Sequence, residues 1–200
     1  MGDEAAASAH VRDEPFEVEV RESRAVYEGR VWDVREDRFA YNGHELVRHY
    51  VDHTGAVAVV AVDDAGRVLL IQQYRHPIRM RDWEVPAGLL DVAGEDPLET
   101  AKRELAEEAD LHAAHWEKLG RMAPTPGGSD EIIHLYLATG LTSSGETFAR
   151  DAEEADIRIA WVPLDEAVAA VRSGRVVNGA MMLGVLLAAE RLRGGAAPGE

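Results

Sequence analysis

At 200 residues, 46% of them hydrophobic, the chain has the length of one domain and enough apolar content for a core without disulfide or metal staples. It has no cysteine, which removes disulfides and thiolate metal sites and fits a reducing compartment. Its 21 Lys and Arg against 37 Asp and Glu give a formal charge of −16, a field that repels nucleic-acid backbones and argues against nucleic acid as a partner.

No run approaches the ~18–20 apolar residues needed to span a bilayer. The start, Met1-Gly2-Asp3-Glu4-Ala5-Ala6, has neither the basic and apolar regions of a signal peptide nor the Ser or Thr of a myristoylation signal. The expectation is a cytoplasmic protein without membrane contact. Residues 1–14 and 194–200 read as flexible ends.

From the N-terminus, extended segments are expected at 16–20, 26–39 and 44–51, the last two joined by Asn42-Gly43, a hairpin signal because both residues tolerate positive φ. Ala56–Val62 and Arg67–Tyr74 follow, with Asp63-Asp64-Ala65-Gly66 between them as a second hairpin. Their continuous apolar runs suggest strands buried on both faces. Asp96-Pro97 opens the first helix, Asp96 as cap, Pro97 at the first helical position and Glu99 completing a capping-box pattern. Strands near 116–122, 132–138 and 157–162 come next, then helices at 164–173 and 178–193. The Met181, Met182, Val185, Leu186, Ala189 stripe of the last helix reads as core or dimer contact. Hairpins mixed with few helices point to an α/β fold of mixed sheets covered by helices. Residues 15–55 form an N-terminal strand region and 56–193 the main domain.

The chemical signal lies in the first helix. Glu104, Glu107 and Glu108 stand at i, i+3 and i+4 and share one face. Repulsion at that spacing costs roughly 0.2–0.5 kcal/mol per pair. A hard divalent cation turns the cost into binding. Taken alone, such a triplet is more often a solvated acidic face. Ahead of it, the segment Trp83 to Glu95 carries Pro86, Gly88 and Gly94, which let backbone groups approach a ligand closely. Eight histidines are present without a His-Glu-x-x-His pattern, and His112 and His115 read as surface residues.

Gly88, Glu95 and Arg103-Glu104-Leu105-Ala106-Glu107-Glu108 followed by Leu111 resemble the Nudix box: Gly, five residues, Glu, seven residues, then Arg-Glu-aliphatic-x-Glu-Glu-x-Gly-aliphatic. The match departs twice. Six residues rather than five separate Gly88 from Glu95, and Asp110 stands where glycine is expected. Asp is among the few other residues that tolerate the left-handed conformation. Gln72-Gln73-Tyr74-Arg75, Trp83-Glu84-Val85-Pro86-Ala87-Gly88, Pro126 and the run Pro126-Gly127-Gly128-Ser129-Asp130-Glu131 are similar to the ADP-ribose pyrophosphatase branch.

The resemblance implies an α/β/α sandwich of mixed β-sheets with an N-terminal β-hairpin extension. It also implies hydrolysis of a diphosphate linked to another group, with ADP-ribose, giving AMP and ribose 5-phosphate, as the expected substrate. Glu104 and Glu108 would be the principal ligands of two or three Mg²⁺ (Mn²⁺ as a possible substitute), with Glu107 and the carbonyl of Ala87 completing the set. Glu95 and Arg103 would form a structural salt bridge. The base would come from Asp151–Asp156, with Glu154 first and Glu153 second. Arg75, then Arg48, would hold phosphates. Gly88, Asp130 and Glu131 would meet the substrate. Trp32 would stack on the base or act as filler, and a homodimer built through the N-terminal strands is implied. The rival readings are another nucleotide sugar, dinucleoside polyphosphate or NADH as substrate, and a non-catalytic Nudix-fold ligand sensor.

Overall fold

The computed structural model describes residues 11–145 and 157–194. Contacts divide the chain into two units, one ending at Tyr50 and the other beginning at Val51.

The first unit is a three-stranded sheet in the order β1 (Val20–Tyr27), β2 (Asp33–Tyr41), β3 (His44–Asp52). Asn42 (φ 49°) and Gly43 (φ 78°) make the expected turn between β2 and β3. The expected strand over 26–39 is broken. Gly29 N donates to Asp33 Oδ1 (3.1 Å), and a Cβ at Gly29 would strike the carbonyl of Trp32, so the chain turns between β1 and β2. Regular pairing begins at Val20, and Phe16 lies outside it.

In the second unit, β4 (Ala56–Ala61) is the central strand and is buried along its whole length. It pairs antiparallel with β7 (Ala87–Leu89) and parallel with β9 (Ile133–Ser143), which pairs antiparallel with β8 (Leu111–Met122). A second sheet has the order β10 (Arg158–Pro163), β5 (Arg67–Arg75), β6 (Met80–Glu84). The expected β4–β5 hairpin is therefore corrected. Asp63 does build a tight turn, Oδ1 accepting from the backbone N–H of Ala65 (3.0 Å) and of Arg67 (2.8 Å). Beyond one bridge, Val62–Val68, the strands part into different sheets. Both are buried on both faces, so each needs a covering layer that a two-stranded hairpin lacks.

Alternation along β4 shows what covers it. Ala58, Val60 and Val62 pack with Val68, Leu70, Leu135 and Leu137 against α2 (Leu164–Arg172) and α3 (Gly179–Gly194). Val57, Val59 and Ala61 pack with Leu69, Tyr136 and Ala138 against Ala101 and Leu105 of α1 (Pro97–Ala109). This is the expected mixed α/β arrangement, with helices on either side of the sheets and an N-terminal hairpin. Met181 and Val185 belong to the core, whereas Leu186 is exposed. Among the described residues no helix is long and apolar enough to cross a membrane.

Candidate active site

The start of α1 is fixed by Asp96, whose side chain accepts from Leu98 N (2.8 Å), a cap worth about 1 kcal/mol. Glu99 ion-pairs with Lys102 (2.7 Å). At the other end Asp110 adopts φ 56°, ψ 36°, and its N–H bonds back to the carbonyl of Ala106. It thus provides the left-handed stop that glycine would have given. The chain then enters β8 directly at Leu111.

Between these ends, Leu105 and Ala101 turn into the core, while Glu104 and Glu108 turn toward β7 and Glu107 toward Arg103. Ala87 N donates to Glu108 Oε2 (2.8 Å), so the largely buried Glu108 is tied to the β7 backbone. Gly88 is the close-approach residue: a Cβ there would overlap Cγ, Cδ and Oε1 of Glu104. Burial pushes the Glu104 carboxyl up. Arg103 opposes the shift, while Glu107 and Asp91 reinforce it.

Arg103 is the hub of the loop. Its Nη1 lies 2.7 Å from Glu104 Oε1 and 3.3 Å from Glu107 Oε2, and its Nη2 lies 3.4 Å from Glu95 Oε2 and 3.8 Å from Asp91 Oδ1. Burial works against the guanidinium charge, but Glu104, Glu107 and Glu95 together hold its pKa above the ordinary value. Glu95 also accepts from Thr100 Oγ1 (2.8 Å), so it fastens the loop to the first turn of α1. Asp91, inside the insertion-bearing loop, drew no notice in the sequence. A carboxylate seven residues past the β6 end, with an arginine twelve further on, was its only signal.

The oxygens of Glu104, Glu107, Glu108 and the Ala87 carbonyl are the hard donors that Mg²⁺ prefers, and the Gly88 notch holds one of them in place. The donor set fits such an ion. As arranged, Glu104 and Glu107 face Arg103 and Glu108 faces an amide, and among the described residues no group of three His, Asp or Glu is set to hold a metal.

Arg75, at the end of β5, forks onto Glu84 of β6 through Nε (2.6 Å) and Nη2 (2.7 Å). Asp130 accepts from His53 N (2.8 Å), and Glu131 lies 3.6 Å from His53 Nε2. With Val51 N donating to Gly128 O (2.9 Å), these bonds dock the 125–131 loop on the segment before β4. Gly55 N donates to His53 Nδ1 (2.9 Å), which leaves Nε2 to carry the proton of the neutral ring toward Glu131. Trp32 and Arg48 belong to the N-terminal unit. Trp32 is exposed in the β1–β2 turn, and Arg48 Nη1 donates to the carbonyl of Val47 (2.8 Å). Glu153 and Glu154 lie outside the described residues.

Residues 52–179 match the NUDIX domain, well over half of the chain. The chain belongs to the Nudix family. The loop and helix just described, with Arg103 and the three glutamates, lie within the matched residues. Its activity is that of a Nudix hydrolase, cleavage of a nucleotide pyrophosphate bond. The chain is 46% identical to an ADP-ribose pyrophosphatase of Mycobacterium tuberculosis, over 82% of this Nudix protein and 79% of the relative. It is 35% identical to a methanol dehydrogenase activator of Bacillus methanolicus, over 85% and 91%. A crystal structure of an ADP compounds hydrolase shares the fold, with a TM-score of 0.76 at 20% identity over 92% of this chain and 99% of that one.

Proposed function

We propose that the chain is a magnesium-dependent hydrolase of ADP-ribose, releasing AMP and ribose 5-phosphate. The observation that carries this reading is the carboxylate face of α1 seated against Ala87 and Gly88, in a chain 46% identical to an ADP-ribose pyrophosphatase. Glu104, Glu107, Glu108 and the Ala87 carbonyl would hold Mg²⁺, with Mn²⁺ as substitute. When bound, the ion neutralises phosphate charge and lowers the pKa of an attacking water.

The remaining work falls to the chain's own groups. Gly88 and the Ala87 amide seat the carboxylates of Glu104 and Glu108 against β7. Arg103 clamps loop to helix through Glu95 and supplies a fixed positive charge beside them. Arg75 offers a planar cation to the diphosphate, with Arg48 in a supporting role. Asp130 and Glu131 are assigned to the ribose side. Asp130 holds its loop through the backbone of His53, so its second oxygen is the one that would face substrate. Glu154, with Glu153 second, is assigned as the base that takes the proton of the water, and Trp32 as the stacking platform for adenine, worth about 1–3 kcal/mol. A homodimer through the N-terminal sheet completes the reading. All eight residues of β1 are exposed, among them Val20, Val26 and Tyr27.

A second reading, another nucleotide-linked diphosphate as substrate, draws on a GDP-mannose pyrophosphatase of Yersinia enterocolitica, 31% identical over 68% of this chain. Hydrolysis of ADP-ribose, ADP-glucose and a dinucleoside polyphosphate, each with and without Mg²⁺, separates the two. Metal-dependent release of AMP and ribose 5-phosphate, fastest from ADP-ribose, is the expected result. Preference for another compound moves the substrate, and no cleavage of any of them removes the assignment.

A further inference from the structure

The β5–β6 hairpin carries polar side chains where an apolar surface would be expected. Its register sets Ile71 opposite Glu84, Gln73 opposite Asp82 and Arg75 opposite Met80, so Gln73, Arg75, Asp82 and Glu84 share one face. Gln73, Asp82 and Glu84 are buried. Stability does not require this arrangement, because well-packed apolar residues in place of a buried ion pair are commonly neutral or stabilising. Its value must lie in what the polar groups hold.

Glu84 is the fixed end of the arrangement. Its side chain is 4% exposed, against 45% for Arg75. One carboxylate oxygen accepts from Arg75 Nε and the other from Arg75 Nη2, with Gln73 Nε2 at 3.5 Å from the second. A guanidinium has five N–H groups, so the fork uses two and leaves three beyond it. The Arg75 side chain is half-exposed where Glu84 is buried, so the pair has an open end and a closed one. The charge of Glu108 reaches it as well: the Arg75 pKa is raised first by the Glu84 hydrogen bond, with burial opposing, and the Glu84 and Glu108 charges adding to the rise. Glu84 ends β6 three residues before Ala87, whose N–H donates to Glu108, so the fork lies on the strand that leads straight to the backbone partner of the carboxylate helix.

We propose that Glu84 is a positioning residue, holding Arg75 by its Nε edge so that the outer N–H groups close on the diphosphate of a substrate bound at α1. The inference rests on the assignment of Arg75 as a phosphate ligand. It adds the residue that sets the direction of that arginine, and it explains why a flexible side chain can act as a fixed one. Lysine cannot replace Arg75 in this role, because an ammonium has no fork to be held. Glutamine at position 84 keeps the shape but turns an N–H₂ toward one guanidinium nitrogen.

The test is calorimetric binding of inorganic pyrophosphate in Mg²⁺ to the full chain, its E84Q and R75K variants and the double variant, with circular dichroism as the check on folding. Affinity is expected to fall about tenfold in each single variant, the weight of one charge-assisted hydrogen bond, and no further in the double variant. In ADP-ribose hydrolysis the same variants should raise KM about tenfold with kcat within about threefold. Wild-type pyrophosphate affinity in E84Q, or an equal further loss when E84Q is added to R75K, overturns the proposal. So does a wild-type chain that does not bind pyrophosphate. Should E84Q fail to fold, R75K decides, because undiminished affinity there means that the fork is irrelevant. Normal pyrophosphate behaviour without ADP-ribose cleavage would strike the substrate assignment and leave the role of Glu84 standing.

Discussion

Gly88 is the residue at which a missing side chain matters most. The space a methyl group would take is filled by the Glu104 carboxylate, the far end of a flexible side chain. Gly88→Ala should therefore displace Glu104 rather than unfold the chain. Hydrolysis should fall at least about 100-fold, equivalent to losing one well-placed charged group, while the melting temperature stays close to wild type. A large drop in melting temperature would mean that the notch serves packing instead. Asp82 makes a second prediction, one of pH. Burial pushes its carboxyl up, the bond from Asn178 pulls it down, and Glu84 adds to the rise. In the unfolded chain it ionises near the ordinary aspartate value of about 3.9. Above that pH the unfolded state releases its proton first, so stability present below the unfolded pKa is lost as pH rises through the folded one. Asp82→Asn should accordingly be more stable than wild type at pH 7 in urea unfolding, with the gain shrinking toward about pH 4. An equal gain at both pH values would assign the effect to packing.

Asn178 joins two elements at once. Its Oδ1 accepts from Met181 N (2.9 Å), capping α3, and its Nδ2 donates to Asp82 Oδ2 (3.1 Å) on β6. Asn178→Ala removes the cap and leaves a buried carboxylate short of a partner, a loss of about 2 kcal/mol. A urea titration showing under about 0.5 kcal/mol would mean that water replaces both bonds. At this scale the sequence was legible wherever local chemistry decides. Asp96-Pro97 placed the start of α1, Asn42-Gly43 placed a turn, and the box spacing gathered Glu104, Glu107 and Glu108 on one face. It was not legible where partners lie far along the chain. Asp63 to Gly66 looks the same from within whether the flanking strands pair or part. Only the two covering layers, contributed by residues after 97, decide that they part. Glu84 and Asp82 were equally hidden, because two acids ahead of Pro86 give no sign of burial until β5 is laid beside them.

For the molecule as a whole, the surplus of acid over base is met locally by Arg75, forked onto Glu84, and by Arg103, held by Glu95 from the loop and by Glu104 and Glu107 from α1. The exposed apolar side chains of the N-terminal unit, including Trp32 and Val31 beside those of β1, are the surface on which the proposed dimer depends. Light scattering should give about 44 kDa, twice the 21.9 kDa chain. An active species at the single-chain mass would remove that dimer and any role for Trp32 across it. The strand pairing of β4 has a wider meaning. It binds β7, just before α1, on one edge and β9, after it, on the other. The segment that bears the glutamates is thus a loop clasped at both ends by the same strand, one with no exposed residue. A clasp of that kind has no soft side: the helix cannot swing outward from either end without unzipping the middle of the protein, so the geometry of the site is as durable as the fold itself.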